Sequence, residues 1–451
     1  MSDKTTAIDP VLEIERLAEA AAGLTFEQLP GDVVRLAKLC LLDWFGVAIA
    51  ASQEPVVEAL AQMSGTLPNG STVLGRRESC DVPNALLING TAGHLLDYDD
   101  VHTCIPGHVT VAIAPAVVSV GEALGSTGAD MVTAFVTGFE AMCGIAGLLG
   151  EGHARAGFHP TATLGTFGAA VAVCHLHRAA PEQVRSAIAN AATQAAGLRA
   201  AFGSPCKSIQ VGRSSVNGHL SAQLALRGIS AGLQAFGGRD GFVATHAGTT
   251  SASMQSSKGY FIRDVIFKFD ASCFVTHAPI ACIRSLRSTK KDMRLDTVRR
   301  IVVRVHPSAR DICSIAHPTT ALEAKFSIAH VLAMTLSGMS TQDIASFADT
   351  ASFPALRPWR EKVVLAYDPA MPAPRCSVSV EFDNGEIASA SHDSEAVDLD
   401  MDRREHLLCA KFDALVSPVL DEGRTQALRA GLLELEHASD SHTLMSACRG
   451  H

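Results

Sequence analysis

Between Asn89 and His108 the chain reads NGTAGHLLDYDDVHTCIPGH, which puts three aspartates and three histidines into twenty residues. Histidine titrates near neutral pH, so this stretch carries groups able to move a proton. An aspartate beside a histidine can orient the imidazole or act as the base itself. The stretch is either a polar helix end facing water or one wall of an active site, and the second reading is preferred. Aspartates also suit Mg²⁺. No second acidic cluster supplies the rest of a coordination shell, so the site is read without a metal.

Four further stretches could contribute. His159 stands before Pro160 and a run of small and hydroxyl residues that opens a helix, a place where N–H donors attract anions. Lys207 lies in a Gly-, Ser- and Pro-rich loop ahead of a helix carrying Arg213. Lys268 interrupts the apolar run VIFKF, where an ammonium is costly unless it meets an anion. His330 falls on a predicted helix, with Glu323 and Lys325 nearby.

These side chains need a scaffold. From about Asp9 to Asp264 apolar residues recur at three- and four-residue spacing, as in DVVRLAKLCLLDWFGVAIAAS. Asp81 and Pro83 start one helix, which is expected to run to about Tyr98 and to place His94 and Asp97 on one face. Acids at that end oppose the helix dipole and need compensating cations, ligand contacts or water. After Lys268 the pattern changes. VRRIVVRVHP alternates as a strand, and CSVSVEFDNGEIASAS reads as a hairpin turning at Asp383-Asn384-Gly385. The expected architecture is mainly α: a large helical domain from residues 1–267 and 396–451, with a smaller α+β domain, 268–395, inserted as a lid.

The chain is 47% hydrophobic and only 18% charged, which suits close helix packing and a surface partly covered by self-association. Its net charge of −9 comes with no basic stripe, which argues against nucleic acid. Residues 1–21 carry early acids and no apolar signal core, Pro115 and Glu122 interrupt the apolar run from Val109, and the cysteines show no CxxC. Together these point to a reducing cytoplasm and no membrane partner. GxSxG, P-loop, HExxH and GxGxxG motifs in their proper contexts are missing, so the common hydrolase, NTPase, zincin and dinucleotide chemistries are not expected.

The order of NGTAGHLLDYDD with its following GH, GFHPTATLGTFGAA, KSIQVGRSSVNG, the Lys268–His277 stretch and EAKFSI resembles the MmgE/PrpD family over nearly the full length. The family includes 2-methylcitrate dehydratase, cis-aconitate decarboxylase and iminodisuccinate epimerase. The resemblance implies a large helical domain with an α+β lid, a homodimer, no cofactor and a small di- or tricarboxylate as substrate. It puts Asp97, His108, His159, Lys207 and Lys268 at active-site positions of the decarboxylase branch. On that reading His108 is the principal acid/base, Asp97 orients an imidazole or serves as the base, and His159 is a second proton carrier. His330 contacts substrate as a candidate proton donor, and Lys207 and Lys268 bind carboxylates, with His277 and Arg213 taken as further substrate contacts. His330 stands where that branch has a tyrosine, and Val101 where it has a threonine. GFHPTATLG and EAKFSI look equally like the epimerase branch. The implied activity is a lyase, decarboxylating or dehydrating a citrate- or aconitate-like acid. An epimerase of a dicarboxylate and a non-catalytic carboxylate binder are the alternatives.

Overall fold

A computed structural model describes residues 9–450 apart from 103, 151, 247–255, 257, 291–292 and 397–399. The first eight residues, on which part of the leader reading rests, lie outside it. Among the described residues the fold is mainly α, with one four-stranded sheet and two short two-stranded pairings.

The helix Val82–Leu95 starts where its sequence says. The Asp81 carboxylate accepts from the Asn84 N–H, and Pro83 occupies the first turn. It ends at Leu95, earlier than periodicity suggests, because Asp97 adopts a left-handed backbone with φ of 51°. His94 and Asp97 therefore do not share a helix face. Lys207 also differs from expectation. It lies in the first turn of the helix Cys206–Leu226 rather than in the loop before it.

These two helices cross in close contact through glycine. A Cβ on Gly90 would stand 2.7 Å from Gly212 Cα. The helix Pro160–Leu176 packs on Cys206–Leu226 in the same way, since a Cβ on Gly218 would lie 2.6 Å from Ala169 Cβ. Small residues thus bring together the three helix ends that carry Asp97, His159 and Lys207. The apolar run from Val109 forms the buried helix Thr110–Leu124, with Pro115 inside it. The helix Gly128–Leu149 is long and apolar enough to cross a membrane, but most of it is buried against other helices.

The sheet has the order Val363–Tyr367, Val298–Val305, Arg375–Phe382, Ile387–Asp393. The hairpin read from the sequence is present, with Gly385 at φ of 86°. The edge strand Val363–Tyr367, parallel to its neighbour, had no clear alternating signature. Helix His277–Thr289 covers one face of this sheet. The stretch EAKFSIAHVLAMTL breaks at Phe326–Ser327 into the helices Ala321–Lys325 and Ile328–Leu336, the second capped by the Ser327 hydroxyl. Met401–Leu420 and Glu422–Leu433 then return to pack on the helix Gly31–Ala50.

Candidate active site

Asp97 is the hub. Its carboxylate Oδ1 accepts a hydrogen bond from Lys207 Nζ, and Oδ2 lies 3.3 Å from Lys268 Nζ. Lys268 also donates to the backbone carbonyl of Asp97 at 2.6 Å. All three side chains are buried, Lys268 to 1% exposure. The predicted cost of an ammonium in an apolar run is met here by its anion. Burial alone would raise the Asp97 pKa, but the facing Lys207 and Lys268 outweigh it and hold the carboxyl well below the usual range. Asp97 is therefore a fixed counter-ion at neutral pH and a poor base, which narrows the two roles open to it from sequence.

Strand pairing sets the Lys268 position. Val101–His102 pairs antiparallel with Val265–Ile266, two residues before Lys268. His102 Nε2 donates to the Phe261 carbonyl at 2.7 Å and fixes the same junction. Val101 is thus a buried strand residue.

His108 presents its two nitrogens to different carboxylates. Nδ1 lies 2.9 Å from Asp99 Oδ2, and Nε2 lies 3.8 Å from Asp97 Oδ1. Its backbone N–H donates to the Thr161 hydroxyl at 3.0 Å, tying it to the helix whose N-cap is His159. Asp99 Oδ2 also lies 2.9 Å from His94 Nδ1. Burial opposes ionisation of Asp99, but His108 and His94 outweigh it and hold the carboxyl well below its usual range. Burial pushes His94 down to about 4, against the pull of Asp99, so this ring is neutral near pH 7. Asp100 differs. Burial and the facing Asp43 push it up to about 8, and its carboxyl meets the Thr110 hydroxyl. Three nearby aspartates therefore hold two charges and one proton.

His159 donates from Nδ1 to Gln210 Oε1 at 3.0 Å. Burial, with His94 and Lys207 beside it, holds its pKa well below the ordinary value. This leaves a neutral imidazole whose Nε2 makes no hydrogen bond among the described residues. The His94 ring lies edge-on to His108 at 4.6 Å and stacks on His159 at 6.1 Å.

Of the other three candidates, Arg213 and His330 lie apart, whereas His277 is near enough for Lys268 and Asp97 to act on its charge. Arg213 is exposed, six residues along the helix from Lys207 and so on a different face. His277 faces the Ser272 carbonyl at 3.2 Å, and burial pushes its pKa down to about 4. His330 is fully buried with Nδ1 3.3 Å from Arg360 and its ring edge-on to Phe353. It sits beside a cleft of about 530 Å³ lined by His317, Thr319, Phe353, Arg357 and Arg360. The Asp97 cluster itself is closed, each of its named side chains under a tenth exposed.

Sequence reasoning passed over Asp99, His94 and Gln210. Asp99 and His94 stood within the quoted stretch, but helix periodicity paired His94 with Asp97. Among the described residues, two sets offer ligand atoms within 4.8 Å of one another: His94, Asp99 and His108, and His102, Cys104 and Cys143. In the first set His94 Nδ1 is hydrogen-bonded to Asp99 Oδ2 at 2.9 Å, whereas His108 Nδ1 lies at the same distance as an ion-pair contact without hydrogen-bond geometry.

The MmgE/PrpD N-terminal domain matches residues 15–255, and the MmgE/PrpD C-terminal domain matches residues 271–436. The chain belongs to the MmgE/PrpD family. Curated relatives include the cis-aconitate decarboxylase of Aspergillus terreus (strain NIH 2624 / FGSC A1156), 24% identical over 94% of this chain and 93% of that protein. The human cis-aconitate decarboxylase is 26% identical over 97% and 94% respectively, and that of Mus musculus 25% over 97% and 93%. Asp97, His108, His159 and Lys207 fall in the first matched domain. Lys268 lies in the connection between the two.

Proposed function

We propose that the chain is a lyase of the MmgE/PrpD family acting, without a cofactor, on a small di- or tricarboxylic acid of the aconitate or citrate type. One observation carries this reading: Lys207 and Lys268 flank the position that His108 Nε2 also faces. Two buried ammoniums on one carboxylate make a place for a second anion, because each keeps N–H donors that Asp97 does not take. A substrate carboxylate bound there would have its developing enediolate charge met by preorganised cations.

Asp99, 2.9 Å from Nδ1 of His108, would hold a proton on that nitrogen, which leaves Nε2 to exchange a proton with substrate carbon. In a decarboxylation the C–CO₂ bond breaks and its electron pair moves into the conjugated carboxylate. Protonated Nε2 then returns one proton to carbon. In a dehydration Nε2 takes the proton beside the carboxylate while hydroxide leaves with a proton from a second donor. The names of the relatives favour decarboxylation of an aconitate-like acid. The presence of two separate imidazoles, His108 and His159, favours an epimerase as the second reading, since inversion needs a proton carrier on each face of one carbon.

A proton NMR time course in D₂O decides among them, using cis-aconitate, trans-aconitate, 2-methylcitrate, citrate and iminodisuccinate. Loss of CO₂ or water from one acid is the expected result. Exchange of an α-proton without net loss would replace the lyase with the epimerase. Binding without any exchange would leave a carboxylate-binding protein. A homodimer remains part of the proposal, measured by sedimentation.

A further inference from the structure

Past the end of the helix Val82–Leu95, three successive backbone carbonyls each receive a lysine from a different part of the chain. Lys325 Nζ donates to the Leu96 carbonyl, Lys268 Nζ to that of Asp97 at 2.6 Å, and Lys411 Nζ to that of Tyr98 at 2.7 Å. All three ammoniums are buried. Lys411 is anchored at its other side: it also donates to the Lys268 carbonyl at 2.9 Å and lies 2.6 Å from Asp43 Oδ1. Lys325 is different. Among the described residues it has no carboxylate within ion-pair distance, and its neighbours are the Leu96 carbonyl and the Phe347 ring at 5.6 Å. A buried ammonium without its own anion is costly, so a stability role alone is a weak reason for a lysine here.

We propose that Lys325 is a positioning residue of the active site: by holding the Leu96 carbonyl it fixes the left-handed turn at Asp97 and makes that geometry depend on the seating of the C-terminal domain. Lys325 lies within the matched MmgE/PrpD C-terminal domain and Asp97 within the N-terminal one. The bond therefore runs from one family domain to the residue before the hub carboxylate of the other. Asp97 has φ of 51°, which a non-glycine residue keeps only when its surroundings impose it. The carbonyls on both sides of that φ, those of Leu96 and Asp97, are the two held by Lys325 and Lys268. If Lys325 withdraws, the turn loses one of its two clamps, and the Asp97 carboxylate shifts relative to Lys207 and His108. Burial pushes the Lys325 ammonium down to about 8, with Lys268 and Lys207 adding to the strain and Asp97 opposing it.

This inference rests on reading Asp97, Lys207, Lys268 and His108 as the acid-binding centre. Its test is Lys325→Met, which keeps the hydrocarbon and removes the donor, with Lys325→Arg as the conservative rescue. Two readings are taken on the full chain: kcat and KM for the acid that the D₂O panel identifies, and ¹⁵N signals of the histidine rings. The expected result in K325M is a kcat lowered about 10²-fold with KM within about threefold. The ring signals of His108 and His94 shift, and K325R restores both readings most of the way. A K325M protein with wild-type kcat and unmoved ring signals overturns the proposal. Lys325→Gln, measured in the same way, stands in if the methionine variant does not fold. If the wild-type chain turns over no acid, the functional reading fails, while the ring signals still judge the positioning role.

Discussion

Asp99 Oδ2 stands 2.9 Å from Nδ1 of His108 and also 2.9 Å from Nδ1 of His94. That oxygen is hydrogen-bonded to His94 and makes an ion-pair contact with His108, whose Nε2 lies 3.8 Å from Asp97 Oδ1. Replacing Asp99 with asparagine keeps the shape but offers an amide that can donate to Nδ1, which favours the wrong tautomer. The expected outcome for Asp99→Asn is a kcat lower by about 10²–10⁴ with little change in KM. Steady-state kinetics on the identified acid checks it, and a kcat within about threefold of wild type would remove Asp99 from the mechanism.

Lys207 and Arg213 lie on one helix but in opposite circumstances. Lys207 is buried against Asp97, whereas Arg213 is exposed. Lys207→Met strips one of two cations from a buried carboxylate, and breaking such a pair costs about 3–5 kcal/mol. Its unfolding midpoint should fall clearly, and its affinity for any polycarboxylate should fall with it. Arg213→Ala should stay within about 0.5 kcal/mol of wild type and bind the acid normally. Calorimetric titration of both variants settles the matter, and an Arg213→Ala protein that no longer binds would bring that arginine back into the site.

The reach of the sequence differs from residue to residue. The cost of Lys268 in an apolar run and of acids at a helix C-terminus were both visible, and each is the answer to the other: the lysines sit on the acids. The cap at Asp81, the helix start at Pro160 and the hairpin at Gly385 were visible because local chemistry sets them. The end of the helix at Leu95 was not, since the left-handed turn at Asp97 is imposed by lysines 171 and 229 residues away along the chain. That single turn re-pairs His94 from Asp97 to Asp99. No spacing rule reports a contact made at that distance. Lys411 and Asp43 were invisible for the same reason.

Several imidazoles are buried as neutral rings, and this sets an acid limit on stability. Burial pushes His94, His153, His219, His277 and His330 each down to about 4. An unfolded histidine titrates near 6.5, so on acidification the unfolded chain takes up protons first. The stability these groups contribute is present above about 6.5 and is lost as pH falls through the interval down to about 4. Asp97 and Asp99, whose folded pKa values are depressed, lose their contribution at lower pH still. Urea midpoints should fall steadily from pH 7 to pH 4.5. A His94→Gln variant should show a shallower slope, and a flat wild-type profile would contradict the burial of these rings as neutral groups.

The closeness of His94 Nδ1, His108 Nδ1 and Asp99 Oδ2 makes a metal test necessary. If Asp99 works as the anionic partner of both Nδ1 atoms, a zinc ion would compete for the same lone pairs. Turnover should survive exhaustive dialysis against EDTA, and added Zn²⁺ should inhibit it. Loss of activity on dialysis, restored by a divalent ion, would turn the same three residues into ligands and the mechanism into a Lewis-acid one.

The crossing of Val82–Leu95 over Cys206–Leu226 is what sets Asp97 beside Lys207. Gly90 lies within this crossing, where an added Cβ would meet Gly212 Cα at 2.7 Å and Pro115 Cγ at 3.3 Å. Backbone cannot rotate aside, so Gly90→Ala has to push the helices apart. Overpacking of this kind costs about 1–3 kcal/mol. It should also lower kcat, because the carboxylate and the ammonium ride on the two helices being separated. Gly23→Ala is the control: nothing lies within 4 Å of its added Cβ, and at the last residue of its helix the alanine should raise stability slightly. Thermal unfolding and turnover of the pair should therefore move in opposite directions for stability and only in Gly90→Ala for rate. A Gly90→Ala protein with wild-type turnover would mean that the helix crossing does not set the distance between Asp97 and Lys207.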